Sequence, residues 1–202
     1  QGLISSIDIA PTLLEVAGAQ TVPEFQGRSF AALLDSPANH FRRYVFAEHN
    51  WHDYEAYERM VRSSQYLYIL NDRPELTNGG PLDAVNSPSF ADLLEAREQG
   101  ELTPLQQDIF LASRPVEEFY DCTADPNQAT NLIADPQYAA IISELKNTLK
   151  QWQEETGDTR PAVLTHDWYG RETGVVLSEK NKRGEMPGTA RDADTVQAPG
   201  PF

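Results

Sequence analysis

The strongest constraint on the fold of this chain is a long amphipathic helix predicted over residues 136–156. Asp135-Pro136 supplies a capping side chain followed by a proline, which the first turn of a helix tolerates. Apolar side chains then recur at three- and four-residue steps, so they share one face of the helix. A helix with one apolar face requires a second layer to cover it. The apolar residues are Tyr138, Ile141, Ile142, Leu145, Leu149 and Trp152.

Four segments predict the strands of that second layer. Residues 58–63 and 66–71 are joined by a short polar connection, which is typical of a β-hairpin. A third strand is predicted at 44–48, and a fourth at 117–121 lies ahead of the long helix. We therefore predict an α+β fold, in which a four-stranded antiparallel sheet is packed by the long C-terminal helix.

Short helices and an extended tail complete the predicted fold. Residues 158–202 are polar and rich in Pro, Gly and Asp, a composition that stays mobile or lies along another surface. The short helices are predicted from turn and capping residues between the strands. They span residues 5–18, 30–34, 89–98 and 103–112, and Asp8, Ser89 and Thr103 are their predicted N-caps.

The charge of the chain excludes two classes of partner. Its formal net charge is −15 and its pI is near 4.5, whereas nucleic acids and anionic membranes bind basic surfaces. An anionic substrate would have to be met by a few local arginines. Cys122 is the one cysteine, so an internal disulfide is impossible. No apolar run approaches the roughly 20 residues of a membrane span.

Three motifs, in order, resemble the last part of the sulfatases. Residues 6–18 (SIDIAPTLLEVAG) resemble the S-x-D-x-x-P-T-x-L-x-x-A-G helix of that family. Residues 57–71 (YERMVRSSQYLYILN) are similar to its R-x-V-R-x-x-x-Y-K-Y-I hairpin, with Leu67 in place of the lysine. Residues 117–132 (EEFYDCTADPNQATNL) resemble the closing segment LYDLxxDPxExxNL. Within the family, the resemblance is greatest to heparan N-sulfatase (sulfamidase) and its bacterial relatives.

The resemblance implies a division of the chain into three parts. Residues 1–40 would be the end of the catalytic domain, 41–156 the C-terminal subdomain, and 157–202 an extended or mobile tail. The implied partners are an N-terminal catalytic domain missing from this sequence and a sulfated sugar. The chain opens on Gln1, so we expect a fragment, and family membership implies a periplasmic or secreted protein.

The chemistry of the family is not expected in this chain. Sulfatases convert the Cys or Ser of a Cys/Ser-x-Pro-x-Arg motif to formylglycine and hold calcium with acidic side chains; both are expected in the missing catalytic domain. Cys122 is followed by Thr-Ala-Asp, and Ser113-Arg114-Pro115-Val116-Glu117 has Glu117 where the arginine is required. We expect no catalytic residue, no metal ligand and no activity in the isolated chain.

The candidate substrate-binding residues lie after the first predicted strand and in the second. His49, His52 and Asp53 fall in a segment that the resemblance directs toward the sulfatase pocket, with His52 the foremost candidate. Arg59 occupies the position of the first arginine in the family's hairpin, and a guanidinium is suited to sulfate or carboxylate. The alternative for all four is a solvated surface residue or an ordinary ion pair.

Two other functions remain open at this point. His49, His52 and Asp53 could be the ligands of a small metallohydrolase, since imidazole and carboxylate suit zinc or iron. The acidic surface and tail could instead form a non-catalytic protein-interaction module. A subdomain without its neighbour should also expose apolar surface, and Ile9, Leu13 and Leu14 are the predicted site of self-association.

Overall fold

A computed structural model describes residues 2–20, 22, 24–77, 80–185, 196 and 198–202. Its sheet has four antiparallel strands in the order β1-β2-β3-β4, so each strand pairs with the next along the chain. This confirms the predicted α+β fold with a four-stranded antiparallel sheet. The strands are β1 (Val45–His52), β2 (Tyr54–Arg62), β3 (Tyr66–Asn71) and β4 (Glu117–Asp121).

The helices include the long one predicted from periodicity. It begins with a 3₁₀ turn at Pro136–Tyr138, where Asp135 accepts a hydrogen bond from the Gln137 amide at 2.9 Å. It ends at Gly157, whose φ of 68° is a left-handed conformation that glycine adopts without strain. The α-helices are α1 (Ile9–Val16), α2 (Ala31–Asp35), α3 (Leu82–Val85), α4 (Pro88–Gln99), α5 (Pro104–Gln107) and α6 (Ala139–Thr156). In the described part of the chain, none is long and apolar enough to cross a membrane.

The main core lies between α6 and one face of the sheet. Phe119 and Leu145 are fully buried there, and Val61 and Tyr68 pair across β2 and β3 on the same face. Burying a large apolar side chain stabilises the fold by about 1.5–3 kcal/mol, so this layer provides much of the stability. The other members of the cluster are Tyr44, Ile142 and Leu149.

The first strand is longer than predicted, which corrects the expected environment of the histidines. We expected the strand to end at Glu48 and a loop to follow, but β1 continues to His52. Residues 48–53 are mostly polar, and so many polar residues are not typical of a strand, so the second half of β1 was not predicted. They are held there by β2, which begins at Tyr54 and pairs with β1 almost to its end. His49 and His52 are therefore strand residues with fixed directions.

Two capping predictions are also corrected. The N-cap of α4 lies two residues earlier than expected, because Ser87 and not Ser89 accepts the hydrogen bond of the Phe90 amide. Asp8 precedes α1, but its carboxylate makes no capping bond to that helix. It is drawn instead to the buried guanidinium of Arg42, which donates to it from Nε at 2.6 Å and from NH2 at 2.5 Å. The predicted cap Thr103 is confirmed.

The described tail residues lie along the β1–β2 hairpin and the N-terminal segment. The Trp168 amide donates to the Asp53 carbonyl at 2.9 Å, and the Trp51 and Trp168 rings lie 4.6 Å apart. Further on, the Phe202 ring lies under the guanidinium groups of Arg28 and Arg42. The division at 40 and 156 stays a prediction.

Candidate functional site

The β1–β2 hairpin brings His49 and His52 to one small cavity. Its volume is about 60 Å³, and it lies on the face of the sheet opposite α6. The cavity is lined mainly by polar and charged side chains, in contrast to the apolar core. These include His49, His52, Glu58, Asn71, Arg114 and Arg171.

The pairing of β1 with β2 is irregular between the two histidines. The step from His49 to Trp51 in β1 lies opposite the step from Glu58 to Glu55 in β2, so the extra residue of this bulge is in β2. A bulge bends its strand and increases the local twist. His49 and His52 both line the cavity on either side of this irregularity.

His49 is held by a carboxylate from the neighbouring strand. Glu58 is its cross-strand partner, and Glu58 Oε2 lies 3.0 Å from His49 Nδ1. Burial of Glu58 acts to raise its pKa, but the hydrogen bond with His49 and the charge of Arg114 outweigh it. The pKa of Glu58 therefore lies below its ordinary value, and the carboxylate is ionised at neutral pH.

Arg114 lies behind Glu58 and is a buried charge of the cavity. The residue is 9% exposed; its NH1 donates to Glu58 Oε1 at 2.5 Å and its NH2 donates to Glu118 Oε1 at 3.3 Å. Arg114 Nε has no hydrogen-bond partner among the described residues. Tyr120 donates to the other oxygen of Glu118, and burial together with this hydrogen bond raises the pKa of Tyr120.

The other two arginines of the cavity are also neutralised. Arg73 forms ion pairs with Glu55 and Glu75. Arg171 Nε lies 2.7 Å from Asp167 Oδ2, four residues earlier in the tail. Of the carboxylates that pair with these arginines, Glu55 and Glu58 line the cavity, so the lining holds three guanidinium groups and two carboxylates. Each guanidinium is paired with at least one carboxylate, in the lining or beside it.

His52 lines the cavity, and Asp53 follows it at the turn between the two strands. Asp53 lies between β1 and β2 with a φ of 63°, a left-handed conformation that Asp adopts more readily than most residues. Its Oδ2 accepts a hydrogen bond from the Leu82 amide at 3.1 Å, which attaches α3 to the hairpin. The His52 side chain is 69% exposed, and its Nδ1 lies 3.9 Å from Asp53 Oδ2. His52 can therefore reach a ligand from the mouth of the cavity.

Arg59 is not brought to the cavity. Because Glu58 and Arg59 are adjacent in β2, they point to opposite faces of the sheet. Arg59 is 1% exposed, and its Nε and NH2 donate to the two oxygens of Asp158 at 2.6 and 2.7 Å. The bidentate pair anchors the segment after α6 to the sheet. A substrate contact by Arg59 stays a prediction.

The described residues do not fit a metal centre. Nowhere in the described ranges do three His, Cys, Asp or Glu side chains converge as metal ligands. The three residues of the proposed metallohydrolase site are not assembled, since His49 Nδ1 faces Glu58 while Asp53 binds the Leu82 amide. The carboxylates of the cavity are occupied by arginines, so calcium has no ligand set there.

Several residues of the cavity were not predicted from the sequence. The antiparallel pairing of β1 and β2 could have found Glu58, since it lies opposite His49 once the hairpin is aligned. Arg114 lies just ahead of β4 and Arg171 lies in the tail, and no local pattern in the sequence marks either as a cavity residue. Only the folded β3–β4 connection and the tail bring them to the sheet.

Comparisons with known proteins give the family context of this geometry. No family model matches the chain. It is 33% identical over 183 residues to an ulvan-active sulfatase of Formosa agariphila, covering 88% of this chain and 30% of that protein. The chain is therefore similar to part of a sulfatase over most of its own length. Human N-sulphoglucosamine sulphohydrolase is 28% identical to it over 171 residues, covering 78% of this chain and 34% of the human protein.

The similarity extends over part of each relative. The chain spans about a third of the length of the two proteins, 30% and 34%. A solved structure of a 2-O GAG sulfatase superposes with a TM-score of 0.46 at 24% sequence identity, over 73% of this chain and 24% of that chain.

Proposed function

We propose that this chain is the C-terminal subdomain of a sulfatase that acts on a sulfated sugar. The observation that carries the proposal is the 33% identity to the ulvan-active sulfatase, which extends over 88% of this chain. The human relative is named for the hydrolysis of a sulfated glucosamine, so a sulfated sugar is the substrate class that both names share.

Hydrolysis itself is assigned to a region outside residues 1–202. The sequence contains no Cys/Ser-x-Pro-x-Arg motif, and the nearest segment ends in Glu117, which accepts a hydrogen bond from Tyr68. The nucleophile, and any calcium that polarises the sulfate, would belong to that other region. The residues of this chain would bind and orient the sugar.

The proposed sugar contacts are at the rim of the cavity. His52 is exposed and can donate or accept a hydrogen bond, and His49 is oriented by Glu58. Asp53 would act with them by fixing the turn on which His52 lies. Arg59 would contact a substrate only if Asp158 released its guanidinium.

The partner of the chain would be the catalytic domain, bound through α1. Ile9, Leu13 and Val16 lie at steps of four and three residues on one helix face and are 49%, 64% and 64% exposed. We call these three residues the α1 surface. Leu14, which we also expected there, is half-buried. In the isolated chain the α1 surface would favour self-association.

An activity measurement tests the assignment of hydrolysis. The purified chain is incubated with a chromogenic aryl sulfate and, separately, with N-sulfoglucosamine, and released product is measured. We expect no turnover above the protein-free blank, since the nucleophile is outside the chain. A full-length sulfatase serves as the positive control. Turnover that persists in independent preparations would contradict the proposal.

A further inference from the structure

We propose that Glu58 is a positioning residue for His49: it fixes the proton of the neutral imidazole on Nδ1, so that Nε2 accepts a hydrogen bond from an O–H or N–H group of the ligand. The identity of that ligand as a sugar rests on the proposed function. The position of the proton rests on the contacts of Glu58 alone. Three features of the site carry the inference: the acceptor character of Glu58, the groups that hold it in place and the availability of Nε2.

The carboxylate of Glu58 determines which ring nitrogen of His49 carries the proton. Glu58 Oε2 lies 3.0 Å from His49 Nδ1. An ionised carboxylate accepts hydrogen bonds and donates none, while a neutral imidazole has one donor and one acceptor nitrogen. The hydrogen bond therefore requires the proton on Nδ1. The depressed pKa of Glu58 agrees with this arrangement, since the carboxylate is ionised at neutral pH.

Buried side chains hold Glu58 in place. Its second oxygen accepts a hydrogen bond from Arg114 NH1 at 2.5 Å, and the Arg114 side chain is 8% exposed. Arg114 NH2 donates to Glu118, which in turn accepts a hydrogen bond from the buried Tyr120 hydroxyl at 2.5 Å. Because both oxygens of Glu58 are bound, the carboxylate cannot turn away from His49 without breaking its contact with Arg114.

Nε2 is the nitrogen of His49 that remains for a ligand. The His49 side chain lines the cavity and is 43% exposed, and the described part of the chain offers no hydrogen-bond partner to Nε2. With the proton on Nδ1, the lone pair of Nε2 can accept a hydrogen bond from a sugar hydroxyl or from the N–H of a sulfamate. His52 differs, because its Nδ1 lies 3.9 Å from Asp53 Oδ2, beyond hydrogen-bond distance.

A second glutamate–histidine pair in β2 provides a matched control. Glu55 Oε2 lies 3.0 Å from His166 Nδ1, and Glu55 also forms an ion pair with Arg73. The arrangement repeats that of Glu58, but its histidine comes from the tail. The same substitution in the two pairs therefore separates an effect specific to His49 from the general effect of removing a carboxylate from β2.

Nuclear magnetic resonance of the imidazole nitrogens tests the inference. The chain is labelled with ¹⁵N-histidine and measured at pH 9, where an imidazole of ordinary pKa, about 6.5, is neutral. We expect the His49 proton on Nδ1 in the wild type. In Glu58→Gln the side-chain oxygen can still accept from Arg114 while the NH₂ group donates to Nδ1, so the proton should move to Nε2. Glu55→Gln should leave the His49 signals unchanged and move the proton of His166.

The wild-type spectrum alone can overturn the inference, whether or not the variants fold. A His49 proton on Nε2 in the wild type would contradict it, as would a proton that stays on Nδ1 in a folded Glu58→Gln variant.

A titration with N-sulfoglucosamine separates this inference from the proposed function. We expect a saturable shift of the His49 Nε2 signal in the wild type, and roughly tenfold weaker binding in Glu58→Gln, the size of one lost hydrogen bond. A proton on Nδ1 without any saturable shift would remove the sugar contact and keep Glu58 as the positioning residue. A saturable shift with the proton on Nε2 would do the reverse.

Discussion

At the scale of single residues, Asp8 shows how a charge can be fully buried and stable. It is 0% exposed, and its two oxygens accept hydrogen bonds from the amides of Ser5 and Arg28 as well as from Arg42. Burial acts to raise its pKa, but these four donors outweigh burial, so the pKa of Asp8 lies below its ordinary value. The same residue joins α1, the loop before α2 and the start of the sheet.

The depressed pKa of Asp8 predicts a pH-dependent stability. The stabilisation should be fully present above the ordinary aspartate pKa of about 4 and be lost as the pH falls through the lower pKa of the folded state. Asp8→Asn should lower the free energy of unfolding by about 3–5 kcal/mol at pH 7, because Arg42 would keep a buried charge without its partner. The difference from the wild type should shrink below about pH 4.

Urea unfolding at neutral pH and at a pH near 3 measures both effects. Asp35→Asn, at an exposed position in α2, is the control and should unfold like the wild type at both pH values. An Asp8→Asn variant as stable as the wild type at neutral pH would show that the buried pair is dispensable.

At the scale of elements, α6 is held by a short row of buried leucines. Leu145 and Leu149, four residues apart, are 0% and 2% exposed against the sheet. Leu145→Ala should lower the free energy of unfolding by about 2–5 kcal/mol, since truncation leaves a cavity in the core. Leu34→Ala, at an exposed position, should have little effect in the same urea experiment. Equal midpoints for the two variants would be inconsistent with this packing.

The elements also show what the sequence could and could not predict. Helix α6 and strand β3 were predictable because the periodicity of the helix and the apolar run of the strand are strong over almost their whole length. Strand β1 was predicted too short, since its second half is polar and is ordered by pairing with β2. The sequence also does not indicate which face of the sheet α6 covers. The environment of the Arg59 side chain could therefore not be predicted.

The candidate site was less predictable than the fold. His49, His52 and Asp53 are close together in sequence and were found together. The bulge in β2 opposite the histidines has no local signature, and Arg114 and Arg171 come from the β3–β4 connection and the tail. Sites assembled from distant segments require the fold before they can be recognised.

At the scale of the whole molecule, the α1 surface predicts association of the isolated chain. Leu13→Glu should shift the protein toward monomer, because it places a charge at the centre of the exposed apolar face. Sedimentation velocity over a range of concentrations measures the change, and circular dichroism checks that the fold is retained. Leu105→Glu, at an exposed apolar position far along the chain, is the control. If both variants associate like the wild type, another surface is responsible.

The most direct test of the proposed role is a chimaera with the Formosa agariphila sulfatase. Its segment aligned with this chain is replaced by residues 1–202, and sulfate release from an ulvan oligosaccharide is measured. We expect activity in the chimaera, and a roughly tenfold lower kcat/KM in His52→Ala, the size of one lost hydrogen bond. The exposed His40→Ala is the control. A folded chimaera without activity, or unchanged activity in His52→Ala, would contradict a sugar-binding role for this chain.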